Sequence, residues 1–403
     1  MSTSLIYHAF GARTYQYQKT EYRDGALYFH LIKRHHKCAE CEHAAVGLDQ
    51  KRSYALRTVP VGGKAVFLVV TLYTLICMNC GARRQETRDV ADEKKSYTRK
   101  FARYVLDLSK KMTTADIARH LGVGWDLING IITENLQKRA KRRTLKRLRR
   151  IAIDEIAIRK GHTYMTIVVD LDNGEVVYWA EGNDHTSLKQ FFKKLRRSKA
   201  KLEAIAVDMS AAYRKAIRLY APKGVAVVHD RYHVVAEMND VIDKVRREEQ
   251  SRLEEEGKRT LKGSRYLLLT GKEKLEEQPE KKARLASLLE ANELLHKVYL
   301  LKEDLRLFWA QPSKAKAKKF IHDWCAEARS LKNKHTTRIA TTIERHLDNI
   351  LAWYDHPITT GPLEGLNNKI KVLKRKAYGF RNQESFGLRI LFIHEAKFKL
   401  IGS

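Results

Sequence analysis

The 403-residue sequence is poor in the features that mark several broad classes of protein. Six prolines and 21 glycines are too few for a collagen-like or low-complexity chain, and no internal repeat is present. Five cysteines are too few for a disulfide scaffold. No apolar run is long enough to span a membrane. The longest, residues 65–78, contains Thr71, Tyr73 and Thr74 and reads as a strand. The first thirty residues mix charges around no apolar core of signal-peptide type, so a cytoplasmic protein is expected. The glycine-rich signatures of ATP-binding and dinucleotide-binding loops are both missing, which argues against either chemistry. Acid is scarce as well: 47 Asp+Glu stand against 78 Lys+Arg, a net charge of +31, with pI ≈ 9.9. A soluble chain of this charge most naturally meets a polyanion, nucleic acid first among them.

What the sequence does contain is enough for a sizeable core. An apolar content of 43% over 403 residues fits two to four domains. The positive charge is concentrated. Residues 138–150 carry Lys138, Arg139, Lys141, Arg142, Arg143, Lys146, Arg147, Arg149 and Arg150 without an acid. Residues 369–381 carry Lys369, Lys371, Lys374, Arg375, Lys376 and Arg381, again without one. A solvated helix face is the plain alternative for either run. Phosphate contacts from such runs would make binding strongly salt-dependent.

Residues 1–93 hold two C-x-x-C pairs, Cys38/Cys41 and Cys77/Cys80. Each pair can grip one side of a tetrahedral ion, and four thiolates predict a closed structural Zn²⁺ site. The 35 residues between the pairs exceed ordinary zinc-ribbon spacing, so a strand-bearing insertion is expected between them, with Gly81 serving a knuckle turn. Cys325 stands alone in a helical stripe and reads as a core residue. Trp309, Trp324 and Trp353 read as packing, with a base-stacking tryptophan as the alternative.

Residues 94–137 switch to helical periodicity. Phe101, Val105, Leu108 and Met112 form one stripe. Thr113 or Thr114 caps a short helix with Ile117, Ala118 and Leu121 inward, and Gly122 ends it. A third helix places Trp125, Ile128, Ile132 and Leu136 inward and Asp126, Asn129 and Thr133 outward. This is a helix-turn-helix pattern, or an ordinary three-helix bundle; the basic linker 138–150 that continues it favours DNA binding.

From residue 151 the pattern becomes one of strands, at 151–158, 164–171 and 175–180, with turns at Lys160-Gly161 and Asp172-Asn173-Gly174. A helix at 185–198, a strand at 202–207, a helix at 211–220, a strand at 225–228 and a long helix from Tyr232 complete the order β-β-β-α-β-α-β-α. That order predicts an α/β RNase H-like domain. Residues 247–355 read as an all-α insertion with balanced charge, and residues 356–403 return to a last helix and C-terminus.

Asp154 interrupts the first apolar strand, and an ionised carboxylate there is costly unless it is paired or binds a cation. Asp208 ends the strand 202–207 at a carboxyl edge, where α/β sheets place ligands. Two such acids repel unless a divalent cation neutralises them, and Mg²⁺ suits oxygen ligands. An edge-strand acid and a helix N-cap, respectively, are the alternatives. Glu364, in the first turn of a helix opened by Gly361-Pro362, is a candidate third acid, sharing its face with Asn367, Asn368 and Lys371. Spacing alone does not separate it from Glu344 or Glu384.

The runs at 151–161 (IAIDEIAIRKG), 207–213 (VDMSAAY), 362–371 (PLEGLNNKIK) and 377–381 (AYGFR) together resemble the ISL3 family of bacterial insertion-sequence DDE transposases, over nearly the whole chain. The resemblance implies that Asp154, Asp208 and Glu364 form a DDE triad holding two Mg²⁺ ions, for which Mn²⁺ can substitute. It also implies that the helical segment 247–355 interrupts the catalytic fold. Asp230-Arg-Tyr-His233 is similar to a D-x-x-H signature, implying His233 near the scissile phosphate and Asp230 as a structural partner; a helix-capping pair or a transition-metal site is the other reading of His229 and His233. The implied partner is double-stranded DNA, both element ends and target, handled by a homodimer or larger assembly in the nucleoid. Asn129, Thr133, Lys138, Arg139, Lys141, Arg142, Arg143, Lys146, Arg147, Asn368, Lys371, Lys374 and Arg375 are the expected DNA contacts. A non-catalytic DNA-binding regulator and a nuclease that stops at hydrolysis are the rival functions.

Overall fold

The computed structural model describes residues 3–44, 46–159, 163–255, 261–377, 380 and 382–395. The expected Lys160-Gly161 turn, and Tyr378, Gly379 and Arg381 of the last motif, lie outside the described residues. The chain divides into two compact units, residues 1–142 with 374–388 and 394–403, and residues 143–373 with 389–393.

The first unit begins with helix α1 (Thr3–Phe10) and strands β1 (Tyr15–Arg23), β2 (Ala26–Lys33), β3 (Val46–Val61), β4 (Lys64–Cys77) and β5 (Arg83–Gln85). Their order is β1-β2-β4-β3, with β5 also on β4. The β1–β2 and β3–β4 turns are Asp24-Gly25 and Gly62-Gly63, each with two consecutive positive φ angles. Such turns match the twist of a tight antiparallel hairpin. The long apolar run is β4, and period-two alternation buries Val66, Leu68, Val70 and Leu72 against Ile6, Phe10, Phe29 and Leu31. Each such side chain contributes about 1.5–3 kcal/mol of burial.

Helices α2 (Arg99–Leu108), α3 (Thr114–Leu121) and α4 (Trp125–Arg142) follow. Thr98 caps α2, accepting from the Phe101 N–H. Thr113 and Asp116 form a reciprocal capping box on α3, and Gly122, at φ 61°, ends it. Phe101, Val105, Ile117, Ala118, Leu121, Ile128, Ile132 and Leu136 are buried as expected, but Leu108 and Met112 are only partly covered. Trp125 departs further. It is 51% exposed, and Ile131 joins the buried face instead. Periodicity reports the direction of a side chain around the helix axis; it does not report whether a neighbour exists at that level. Trp125 points the right way but is the first residue of its helix.

The second unit contains β6 (Arg150–Arg159), β7 (Thr163–Asp170), β8 (Val176–Glu181), α5 (Lys189–Ser198), β9 (Ala204–Val207), α6 (Ala211–Tyr220), β10 (Ala226–His229) and α7 (Arg231–Glu255). The sheet order is β10-β9-β6-β7-β8. Strands β6, β7 and β8 form the expected antiparallel meander, while β9 joins β6 and β10 joins β9 in parallel. Strand β6 is therefore central. Phe191, Phe192, Leu195, Tyr213 and Ile217 from α5 and α6 close over Ile151, Ile153, Ile205 and Val207. Beyond α7 come α8 (Arg265–Leu269), α9 (Lys272–Glu276), α10 (Pro279–Glu290), α11 (Glu293–Leu307), α12 (Lys314–Ser330), α13 (Lys334–Arg345), α14 (Leu347–Leu351), α15 (Gly361–Lys376) and α16 (Gln383–Leu391). A second, helical core unites Val234, Met238, Ile242 and Val245 of α7 with Leu295, Leu305, Trp324, Ile339 and Ile350.

Candidate functional site

The four paired cysteines converge. Their Sγ atoms all lie within 4.8 Å of one another, with Cys38–Cys80 at 3.6 Å and Cys41–Cys77 at 3.5 Å. Zn–S bonds of about 2.3 Å in a tetrahedron require sulfurs about 3.8 Å apart, so the donor set fits a zinc ion. Two matching local turns build it. The N–H groups of Cys38 and Cys77 donate to the carbonyls of His43 and Ala82, while those of Glu42 and Gly81 donate back to Cys38 and Cys77, each bond at 3.0 Å. Within each turn a backbone N–H, of Glu40 or of Asn79, donates to the first sulfur at 3.4 Å. The residue after each second cysteine has positive φ, 57° at Glu42 and 70° at Gly81. Bonds from the Cys80 and Asn79 N–H groups pull the Cys77 thiol down to about 6 against the opposing effect of burial. At Cys80 the backbone bond with Ala82 is outweighed by the Cys41 and Cys77 sulfurs and by burial, which push that thiol up to about 12. The strand-bearing insertion expected between the pairs is the β3–β4 hairpin. Cys325 is apart from this cluster: it is buried, its thiol faces the Ala340 carbonyl at 3.8 Å, and burial pushes it up to about 12.

The carboxylates meet by strand register. Ala152 of β6 is level with Ala206 of β9, and Asp154 and Asp208 each stand two residues further along these parallel strands. Side chains alternate and neighbouring strands are about 4.8 Å apart, so both acids leave the same face side by side where the pairing ends. Burial pushes both carboxyls above the usual range, while their N–H donors oppose it. Asp154 Oδ1 accepts from the Glu155 N–H at 2.8 Å and Oδ2 from Asn367 Nδ2 at 3.1 Å. Asp208 Oδ1 accepts from the Ser210 N–H at 3.0 Å. Neither simple alternative describes them: Asp154 is on a central strand, and the N-cap of α6 is Ser210.

His233, in the first turn of α7, is close enough for its charge, when present, to lower both acids. Asp230 is fully buried and accepts from Thr359 Oγ1 at 2.7 Å and Thr360 Oγ1 at 2.6 Å. It thereby anchors the segment that opens α15, as a structural partner would. His229 is fully buried beside the Val207 carbonyl, Asn349 and the His346 ring, and burial lowers it to about 4. Glu364 is exposed in the first turn of α15, held there by Leu363, Leu366 and Ile370. Among the described residues, the cysteines are the one group of three or more potential ligands gathered within 4.8 Å; the three acids are not. The Thr359-Thr360 anchor and the Asn367 bond carry no spacing signal, since both link segments more than a hundred residues apart.

The expected DNA contacts fall into different environments. Lys138, Arg139, Lys141, Arg142, Lys146 and Arg147 are exposed, as are Asn368, Lys371 and Arg375, while Lys374 is half-buried. Lys138 pairs with Glu134 at 2.8 Å. Arg143 is used inside the protein: it pairs with Glu175 at 2.5 Å and donates to the Leu391 carbonyl at 3.1 Å. A basic run read one residue at a time cannot reveal that a distant acid claims one member. Asn129 is half-buried, and the Thr133 hydroxyl, expected to face outward, is buried without a hydrogen-bond partner. Trp324 is packed, donating Nε1 to the Leu301 carbonyl at 2.8 Å, and Trp309 is buried. No helix among the described residues is long and apolar enough to cross a membrane.

Comparison with known proteins agrees with this architecture. Residues 151–390 match the ISL3 DDE family model described as transposase, and residues 87–134 match the helix-turn-helix domain of transposase family ISL3. The chain is 29% identical over 388 residues to the transposase for insertion sequence element IS1001 of Bordetella parapertussis, covering 95% of each chain. It is 29% identical over 290 residues to the transposase for insertion sequence element IS1557 of Mycobacterium tuberculosis, covering 65% of this chain and 64% of the relative. A chain of the Drosophila P element transposase strand transfer complex aligns with 80% of this chain and 95% of its own length, at 11% identity and a TM-score of 0.36, a likeness too weak to carry an argument.

Proposed function

The chain belongs to the ISL3 family of transposases, and on that premise we propose that it cuts DNA at the ends of its own insertion sequence and joins the freed 3′-OH groups to target DNA. The observation that carries this reading is the level placement of Asp154 and Asp208 at the ends of neighbouring parallel strands. Two half-buried carboxylates with raised pKa values, offering oxygen only, suit a hard divalent cation. Asp154, Asp208 and Glu364 would hold two Mg²⁺ ions, or Mn²⁺ in their place. Bound there, the ions supply Lewis-acid charge at the scissile phosphate.

The protein's own residues orient the strand. His233 would approach the scissile phosphate from α7, and Asn368 and Lys371 would hold the flanking backbone from α15. In the first step water attacks phosphorus, the P–O3′ bond breaks, and the element end leaves as a 3′-OH. In the second step that 3′-OH attacks a target phosphate and displaces the target's own 3′ oxygen. One phosphodiester bond forms for each one broken, so strand joining needs no external energy source. The sheet order and strand directions support an RNase H-like reading of residues 151–246 and 356–403, interrupted by a helical insertion at 247–355. Residues 94–137 would read the terminal repeats as a helix-turn-helix, residues 138–150 would contact phosphates, and residues 1–93 would hold one structural Zn²⁺. Two ends processed together call for a homodimer or larger assembly on DNA.

The test is a labelled duplex carrying the element's own end, incubated with protein, Mg²⁺ or Mn²⁺, and a plasmid target. Metal-dependent nicking and joining, both lost in Asp208→Asn, are expected. Nicking without joining would reduce the protein to a nuclease, and binding without cutting would reduce it to a regulator.

A further inference from the structure

Asn367 lies on α15 one turn beyond Glu364, and its Nδ2 reaches Asp154 Oδ2 at 3.1 Å across 213 residues of sequence. An ionised carboxylate only accepts hydrogen bonds, so it is the amide nitrogen that must face Asp154. The amide oxygen is therefore turned away from Asp154. That Oδ1 is buried and has no hydrogen-bond partner. The next residue, Asn368, is exposed.

A buried acceptor left unpaired costs about 1–3 kcal/mol. Engaging only its donor end beside two carboxylates, Asn367 keeps an acceptor for a donor that would arrive with a cation. We propose that Asn367 is a positioning residue for the metal centre: Nδ2 fixes the orientation of Asp154, and Oδ1 accepts a hydrogen bond from a water of the hydrated divalent cation held by Asp154 and Asp208. A water bound to a cation has its lone pair committed and presents its hydrogens outward, which is what an unpaired carbonyl oxygen requires. Magnesium gives up its waters reluctantly, so such a water is available. The inference rests on the reading of Asp154 and Asp208 as metal-holding acids. Outer-shell partners of metal ligands change affinity or activity about 10–100-fold when removed.

The test uses the full-length protein with Mn²⁺ and no DNA, following free Mn²⁺ by electron paramagnetic resonance. Asn367→Leu should weaken Mn²⁺ binding about 10–100-fold. Cleavage by the variant should recover to within a few-fold of wild type at saturating Mn²⁺, a shift in metal requirement rather than in turnover. If the leucine variant fails to fold, Asn367→Ala serves the same measurement. Asp154→Asn and Asp208→Asn are titrated in parallel. Should both bind Mn²⁺ as wild type does, the reading of the acids fails. Should they weaken binding while the Asn367 variant does not, that reading stands and the role of Asn367 is overturned.

Discussion

The cysteine cluster and the carboxylate cluster solve the same problem in opposite ways. Four sulfurs stand within ligand distance of one another, whereas only two of three acids are brought level and Glu364 is exposed on its own helix. The thiols are placed by two short turns whose hydrogen bonds are local. The acids come from β6, β9 and α15, carry like charge, and are already raised by burial. A third carboxylate at the same point would add repulsion that the fold alone has nothing to offset.

The largest expected effect breaks the first half of this contrast. Removing zinc with a chelator, or Cys77→Ser, should unfold much of the first unit, because structural zinc contributes on the order of 10 kcal/mol in small motifs. Hydrogen exchange should show protection lost in β4 and β5, with the second unit retained. Unchanged protection would mean that the thiols need no ion. Next, Asp208→Asn should lower cleavage by about 10³-fold or more, roughly 4 kcal/mol, while the melting temperature holds or rises because a desolvated charge is gone. A clear loss of stability would instead make Asp208 a structural acid.

A smaller effect sharpens the contrast through the support beneath Asp208. His229 is buried and lowered to about 4 from 6.5, so the unfolded chain binds its proton first. Its contribution is fully present above pH 6.5 and is lost as pH falls towards 4, about 3 kcal/mol in all. Denaturant unfolding of the second unit across pH 4–7 should show that slope, and His229→Gln should flatten it. The smallest effect concerns a surface that needs no ion. Trp125→Ala should weaken binding to the element's end by about 1–2 kcal/mol with the salt dependence unchanged, whereas Lys141→Ala should reduce the salt slope by about one. Loss of slope in the tryptophan variant would show that the exposed indole acts only by holding the helix in place.

Much of this architecture is legible in the chain itself. The Thr113 cap, the Gly122 stop and the turn within each C-x-x-C pair are matters of a few adjacent residues, and neighbouring backbone atoms dominate them. The less legible features all involve distance. Trp125 repeats the buried period yet is exposed, because an end of a helix can lack a neighbour. Arg143 belongs to a basic run yet is claimed by Glu175, thirty-two positions away. Asn367 shares a helix face with Glu364, but its bond to Asp154 is invisible in either segment.

By itself the sequence determined the alphabet of elements, the excess of positive charge and the chemical types available for metal and phosphate. Those follow from local propensity, periodicity and composition, which a linear chain carries with it. Only the tertiary structure decided that Ala152 lies level with Ala206, that His229 is sealed from water, and that Asp230 anchors the residues before Glu364. Register, burial and long-range pairing depend on which surfaces the whole chain can cover at once, and that is settled by packing.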